Sequence, residues 1–168
     1  MNQNIEYNTV RIDRILNHEL YIRCMDTIEH AEEDRIYCLH NLAHSLDVAR
    51  IAYIMNLEEG FHLNRELIYA MALLHDLGRS TQYMSGESHH TAGVPIARTI
   101  LTECGFTEEE TEQLCQAIGA HRNPVEEKTN RYVTVLYNAD KLSRICFDCK
   151  ARKTCYWKEE ERNYTIKY

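Results

Sequence analysis

The sequence predicts an all-α fold: a helical bundle of about six helices with an irregular cysteine-containing stretch at its C-terminal end. Three observations carry that prediction. Pro (2) and Gly (6) are scarce, which leaves few of the tight turns that a sandwich or barrel needs. Apolar residues recur every three or four positions along most of the chain, the spacing of one helix face. No apolar run approaches the roughly 18 residues of a membrane span, so these helices should pack on one another.

The first helix is expected from Thr9 to about Glu33, where Val10, Ile15, Leu16, Leu20, Met25 and Ile28 keep helical spacing. A second runs from about Tyr37 to Leu57 with the stripe His44, Val48, Ile51, Ala52 and Met55, and Gly60 stops it. A third follows Asn64, a candidate N-cap, and carries Leu67, Met71 and Leu74 into His75-Asp76, with Gly78 at its end. Residues 79–90 hold Ser80, Ser85, Gly86 and Ser88 and are expected to form a polar loop. Thr91 to Cys104 forms the fourth helix, with Pro95 in its first turn and Gly105 closing it. Thr107 to His121 forms the fifth, opened by a capping-box spacing to Glu110 and broken by Asn123-Pro124. Asn130 to Leu142 forms the sixth, with Val133, Leu136, Tyr137 and Asp140 on one side.

Neither repeats nor a linker divide the chain, so residues 1–168 are expected to make one domain. Hydrophobic residues at 44% and charged residues at 27% fit a globular chain and exclude a disordered one. The formal charge of −7 argues against a general nucleic-acid binder or a binder of anionic membranes, both of which need a basic field. Met1 to Asn8 is polar and does not read as a signal peptide. The seven Cys, an odd number, then fit a reducing cytoplasmic setting.

The chemistry is concentrated in polar residues at inward positions. His44 heads an apolar stripe. His75 and Asp76 directly follow Leu73-Leu74, and Asp140 continues the stripe of Val133 and Leu136. A buried carboxylate without a partner is costly, so two of them beside two imidazoles invite a cation. Any one of these residues alone would read as a hydrogen-bonded core His or a capping Asp. Together they read as a site.

His44-Ser45 in LAHSLDVAR, the doublet of LLHDLGR at 73–79, and Asp140 in NADKLSR at 138–144 together resemble the HD superfamily of metal-dependent phosphohydrolases. The resemblance covers roughly residues 38–145, leaving 146–168 as a cysteine-rich tail. It implies a helical bundle of the HD-domain type and His44, His75, Asp76 and Asp140 as metal ligands. Such an N/O set suits Mn, Fe, Co, Ni or Zn, with Mg also compatible. A water activated by the metal would then attack a small phosphoester or nucleotide. Two other readings stand beside this one. One is a non-catalytic, metal-containing module that senses a nucleotide or binds a partner protein. The other, known in some family members, is a two-iron oxygenase.

Other residues extend the candidate site. His90 in HTAGVPIA and His121 in AIGAHRN stand where HD proteins with extra histidines place ligands to a second metal or contacts to phosphate, with His89 adjacent to His90. We expect His90 and His121 to face the substrate, with residues 79–90 as a lid. A protonated imidazole could also serve as a general acid, and exposed loop histidines are the plainer alternative. Arg79, three residues after the doublet, suits a phosphate, or else pairs with a carboxylate. Asp47 and His40 each lie about one turn from His44 and read as supporting or surface residues.

Cys146, Cys149 and Cys155 form C-x2-C-x5-C, a second candidate metal or cluster site. Structural zinc needs a fourth ligand, which Cys24, Cys38, Cys104, Cys115 or a His would have to supply in space. An iron–sulfur cluster is the other metal reading, and reduced thiols packing a turn the plain one. Lys141, Arg144, Lys150, Arg152, Lys153 and Lys158 make this stretch basic, a rim for an anionic substrate or a solvated face.

Overall fold

The computed structural model describes residues 9–122 and 130–168. The expected helix breaker Asn123-Pro124 and the polar segment Met1 to Asn8 lie outside the described residues. Among those described there are eight α-helices and no strand. They are α1 (Val10–Leu16), α2 (Glu19–Ala31), α3 (Leu42–Glu58), α4 (Arg65–Leu74), α5 (Arg79–Ser85), α6 (His89–Glu103), α7 (Glu108–Ala120) and α8 (Arg131–Leu142). Short 3-10 turns follow at Cys146–Asp148, Arg152–Thr154 and Glu159–Glu161. Among the described residues no helix is long and apolar enough to cross a membrane.

The bundle is organised around α4. Leu67, Ile68, Ala70, Met71, Ala72, Leu73 and Leu74 are all buried, which is why this segment is apolar almost all round. It packs against α1, α3, α6, α7 and α8. One continuous apolar core runs from Ile15 of α1 to Ala139 of α8. Fully buried side chains such as Leu73, Leu74, Ile100 and Leu114 anchor it, and truncating one to Ala costs about 2–5 kcal/mol.

The caps expected at Asn64 and Thr107 are present, the latter as a capping box with Glu110. The structure differs from the sequence reading at four places. The first expected helix is two, because His18 leaves the helical region and its Nδ1 accepts from the Leu20 N–H at 3.1 Å, capping α2. The second begins only at Leu42, capped by Asn41, because the Glu32 carboxylate takes the His40 N–H at 2.8 Å and holds the preceding segment extended. The expected loop 79–90 is mostly α5, closed by Gly86 at φ 79°. Its serines and Gln are compatible with a helix once Gly78 and Gly86 bound it. Finally, α6 begins at His89, so Pro95 lies inside the helix rather than in its first turn.

One glycine sets the relation of α5 to α6. A Cβ on Gly78 would stand 2.0 Å from the His89 carbonyl oxygen and 2.5 Å from the Gly93 nitrogen. Only a residue without a side chain lets the turn after α4 press onto the first turn of α6.

The tail is held by donors that satisfy backbone carbonyls. Arg162 donates to the carbonyls of Trp157 (2.7 Å), Cys155 (3.0 Å) and Arg152 (3.2 Å). The Asn163 amide donates to those of Lys141 (2.8 Å), Arg144 (2.9 Å) and Leu142 (3.3 Å), so the C-terminal end of α8 is capped from the tail.

Candidate metal centre

His44 comes from the first turn of α3, His75 and Asp76 from the turn leaving α4, and Asp140 from the last turn of α8. His44, His75 and Asp140 each offer a ligand atom within 4.8 Å of the others. A second group of the same closeness joins Asp76, His89 and His121.

Asp76 stands between the two groups. Its Oδ2 lies 3.1 Å from His75 Nε2 and 3.5 Å from His44 Nε2. Its Oδ1 lies 3.6 Å from His89 Nε2 and accepts from Arg79 Nε at 2.8 Å. Asp140 Oδ1 faces His44 Nε2 at 3.5 Å and His75 Nε2 at 4.0 Å.

These close approaches do not satisfy the imidazoles. His44 Nε2 and His75 Nε2 are buried and lack a hydrogen-bond partner, because the carboxylates beside them are off the line that an N–H would need. Meanwhile the far side of each ring is fixed. His75 Nδ1 donates to the Ala72 carbonyl at 2.7 Å, His121 Nδ1 to that of Ile118 at 2.5 Å, and His89 Nδ1 to Gln82 Oε1 at 2.8 Å. Each bond leaves Nε2 as the atom directed inward, the arrangement that orients histidines toward a metal. His89 Nε2 and His121 Nε2 are 3.3 Å apart. Bare, inward-facing nitrogens beside two carboxylates fit divalent cations of the borderline N/O class.

The electrostatics agree. Burial pushes the His75 imidazole down, but Asp76 and Asp140 outweigh it and raise it to about 9. Burial would lift the Asp76 carboxyl, yet His75 and Arg79 hold it well below the ordinary range. The negative field that attracts a proton to His75 is the field that attracts a cation. Burial, reinforced by Arg79, lowers His89 to about 3, and burial with His75 lowers His121 to about 4. Both are therefore neutral at pH 7, the form that ligates a metal.

The structure brings His121 and Arg79 against Asp76, with His121 buried and grouped with His89 rather than lining the cavity, whereas His90 does not join either group. Its Nδ1 contacts Ser88 Oγ at 2.7 Å, and its ring centroid is 6.4 Å from that of His121. His89 takes the position expected for His90 because α6 starts at His89, two residues before Thr91. His89 then shares an inward seam with Gly93, Ile96 and Ile100 at four, three and four residues, a signal present in the sequence. Asp47 is on the helix surface, paired with Arg50 at 3.3 Å. His40 is buried, bonded through Nδ1 to Glu32 at 2.5 Å, and stacked edge-on with His44 at 5.7 Å. Glu32 itself escaped sequence reasoning. It lies at the end of a polar run but is 5% exposed, and also accepts from Tyr83.

A cavity of about 670 Å³ opens above the site. His44, Arg79, His89 and Asp140 line its inner part. Arg35, Arg122, Arg144 and Arg152 add positive charge, and Tyr37, Tyr156 and Trp157 add aromatic faces.

Residues 41–145 match the family model of the HD domain. The chain is 42% identical over 158 residues to an uncharacterized protein of Clostridium beijerinckii, covering 94% of this chain and 99% of that one. It is 32% identical over 102 residues to ribonuclease Y of Acetivibrio thermocellus, covering 61% of this chain but 17% of the ribonuclease. Among solved structures, a crystal structure of a predicted HD superfamily hydrolase from an uncultured Thermotogales bacterium superposes with a TM-score of 0.60. It is 26% identical, and the match covers 84% of this chain and 80% of that one.

Proposed function

The chain belongs to the HD-domain family, and from that premise we propose that it is a phosphohydrolase acting on a small phosphoester, with a nucleotide as the favoured class. The family and the hydrolase-like neighbour support metal-dependent hydrolysis in general. The observation that carries the finer reading is buried Asp76, whose two oxygens face two histidine groups, with His44 and His89 of those groups lining an arginine-rich cavity.

In this reading His44, His75, Asp140 and Asp76 hold one divalent cation, and Asp76, His89 and His121 hold a second. Such cations supply an activated water and a Lewis acid for the phosphoryl group. The Ala72 and Ile118 carbonyls and the Gln82 amide hold the three rings at fixed tautomers, so no reorganisation is needed when substrate arrives. Arg79 is tied to Asp76 and its guanidinium reaches the cavity, where it can share its fork with a phosphoryl oxygen. Arg122 and Arg35 add further positive charge that would favour a phosphate in the cavity. Tyr37, Tyr156 and Trp157 offer flat faces on which a nucleobase would stack, which favours a nucleotide over a sugar phosphate.

The test is metal-stripped protein reloaded separately with Mn, Fe, Co, Ni, Zn and Mg and given a panel of nucleotides, sugar phosphates and a short oligonucleotide. Phosphate release from nucleotides, absent in Asp76→Ala, supports the proposal. Tight nucleotide binding without turnover under every metal would replace it with the sensing module. Preferred cleavage of the oligonucleotide would move the substrate class toward that of the ribonucleases.

A further inference from the structure

The cysteine motif of the tail does not stand alone in space. Cys38, on the segment between α2 and α3, lines the same cavity as Cys146, Cys149 and Cys155 and lies within electrostatic reach of all three. Two contacts hold that segment against the tail. The Tyr37 hydroxyl donates to the Thr154 carbonyl at 3.2 Å, and the Tyr37 ring meets Tyr156 edge-on at 5.8 Å. Arg35 fixes the backbone there by donating to the Cys38 carbonyl at 2.8 Å. None of the four thiols is in a disulfide, and Cys24, Cys104 and Cys115 are buried in the helical core.

We propose that Cys38, Cys146, Cys149 and Cys155 form a four-thiolate site that holds an iron–sulfur cluster beside the histidine–aspartate centre. Four cysteines are the ligand set of both common cluster types. The spacing separates a cluster from zinc. A single tetrahedral ion with bonds near 2.3 Å draws its sulfurs to about 3.8 Å from one another. Among the described residues, the groups with ligand atoms within 4.8 Å of one another are the two histidine–aspartate groups, and no cysteine trio is among them. A [4Fe–4S] cluster, whose four irons each take one thiolate, holds its sulfurs farther apart than a single tetrahedral ion does, which fits thiols of which no three lie mutually within 4.8 Å. Arg144 supplies the second observation. Its side chain is 8% exposed, its guanidinium lies 3.7 Å over the Trp157 ring, and its Nη1 is buried without a partner. A donor left over beside four sulfurs fits the negative charge and acceptor sulfurs that a thiolate cluster presents. The chelate would clamp the segment before α3 to the tail, and both form walls of the substrate cavity.

The experiment is anaerobic purification of the full chain, then reconstitution with ferrous iron and sulfide, with iron and acid-labile sulfide counted and the visible spectrum recorded. Sulfide distinguishes the thiolate site from iron held by histidine and aspartate. The expected result is equal iron and sulfide with broad visible absorption, retained in Asp76→Ala and Cys104→Ser and lost in Cys38→Ser and Cys149→Ser. Far-ultraviolet dichroism shows whether the serine variants keep their helices. If Cys38→Ser misfolds, protection of Cys38 from alkylation in the reconstituted wild type replaces it as the measure. Sulfide-free protein, zinc lost on Cys149→Ser, or an undiminished cluster with Cys38 free each overturns the proposal.

Discussion

Glu32→Ala tests the support beneath the histidine face. The wild-type carboxylate is buried and takes the backbone N–H of His40, its ring Nδ1 and the hydroxyl of Tyr83. It thereby joins α2, the segment before α3 and α5. Burial pushes Glu32 up, but the bonds from His40 and Tyr83 outweigh it and lower it from 4.5 to about 2. That preference for the ionised form amounts to about 3 kcal/mol. Stranding two buried donors of His40 leads independently to about 2–5 kcal/mol. For a chain of this size each kcal/mol moves Tm by about 2–4 °C, so the variant should melt roughly 6–12 °C below wild type at pH 7. A carboxyl depressed on folding contributes fully above its unfolded pKa and loses that contribution as pH falls through the folded one. The gap between the two proteins should therefore narrow from about pH 4.5 toward pH 2. Thermal melts by circular dichroism across pH 2–8 measure both effects. A drop under about 2 °C at pH 7, or a gap that does not vary with pH, would falsify the reasoning.

Three further outcomes follow from the geometry. His89→Ala should lower bound metal from two ions to one and cut turnover at least tenfold, whereas His90→Ala should leave the metal count unchanged; inductively coupled plasma analysis beside phosphate release separates them. Asp76→Ala should empty both positions, and isothermal titration with Mn should show no high-affinity phase while the helical spectrum persists. Gly78→Ala sets a methyl against backbone atoms that have no rotamer to give, so it should destabilise by more than about 2 kcal/mol in urea; an unchanged midpoint would show that the turn and α6 separate freely.

The inward polar residues were legible because they interrupt apolar positions along α3, α8 and the end of α4. A His, a His-Asp pair and an Asp that interrupt apolar stripes must meet where those stripes meet, and the structure brings them together. The exchange of His90 for His89 turned on one residue of helix phase, which depends on where Ser88 leaves the extended region. α5 was hidden because Ser, Thr and Gln are as common in loops as in an exposed helix, and packing against α2 and α6 decides. Glu32 lay beyond reach, and Cys38 could not be singled out from the other spare cysteines, for a different reason. Each acquires its partners from other segments, His40 and Tyr83 for the first and the tail for the second, and periodicity carries no information about such meetings.

The Asn163 amide that caps α8 has a consequence for biosynthesis. Asp140 sits one to four residues from the carbonyls that this amide engages. The helical turn presenting it is finished by a residue translated more than twenty codons later. A nascent chain would lack that donor until the tail is made, so the last turn of α8, and with it Asp140, should stay frayed until then. A polypeptide cut short after Glu161 should accordingly hold metal more weakly than the full chain.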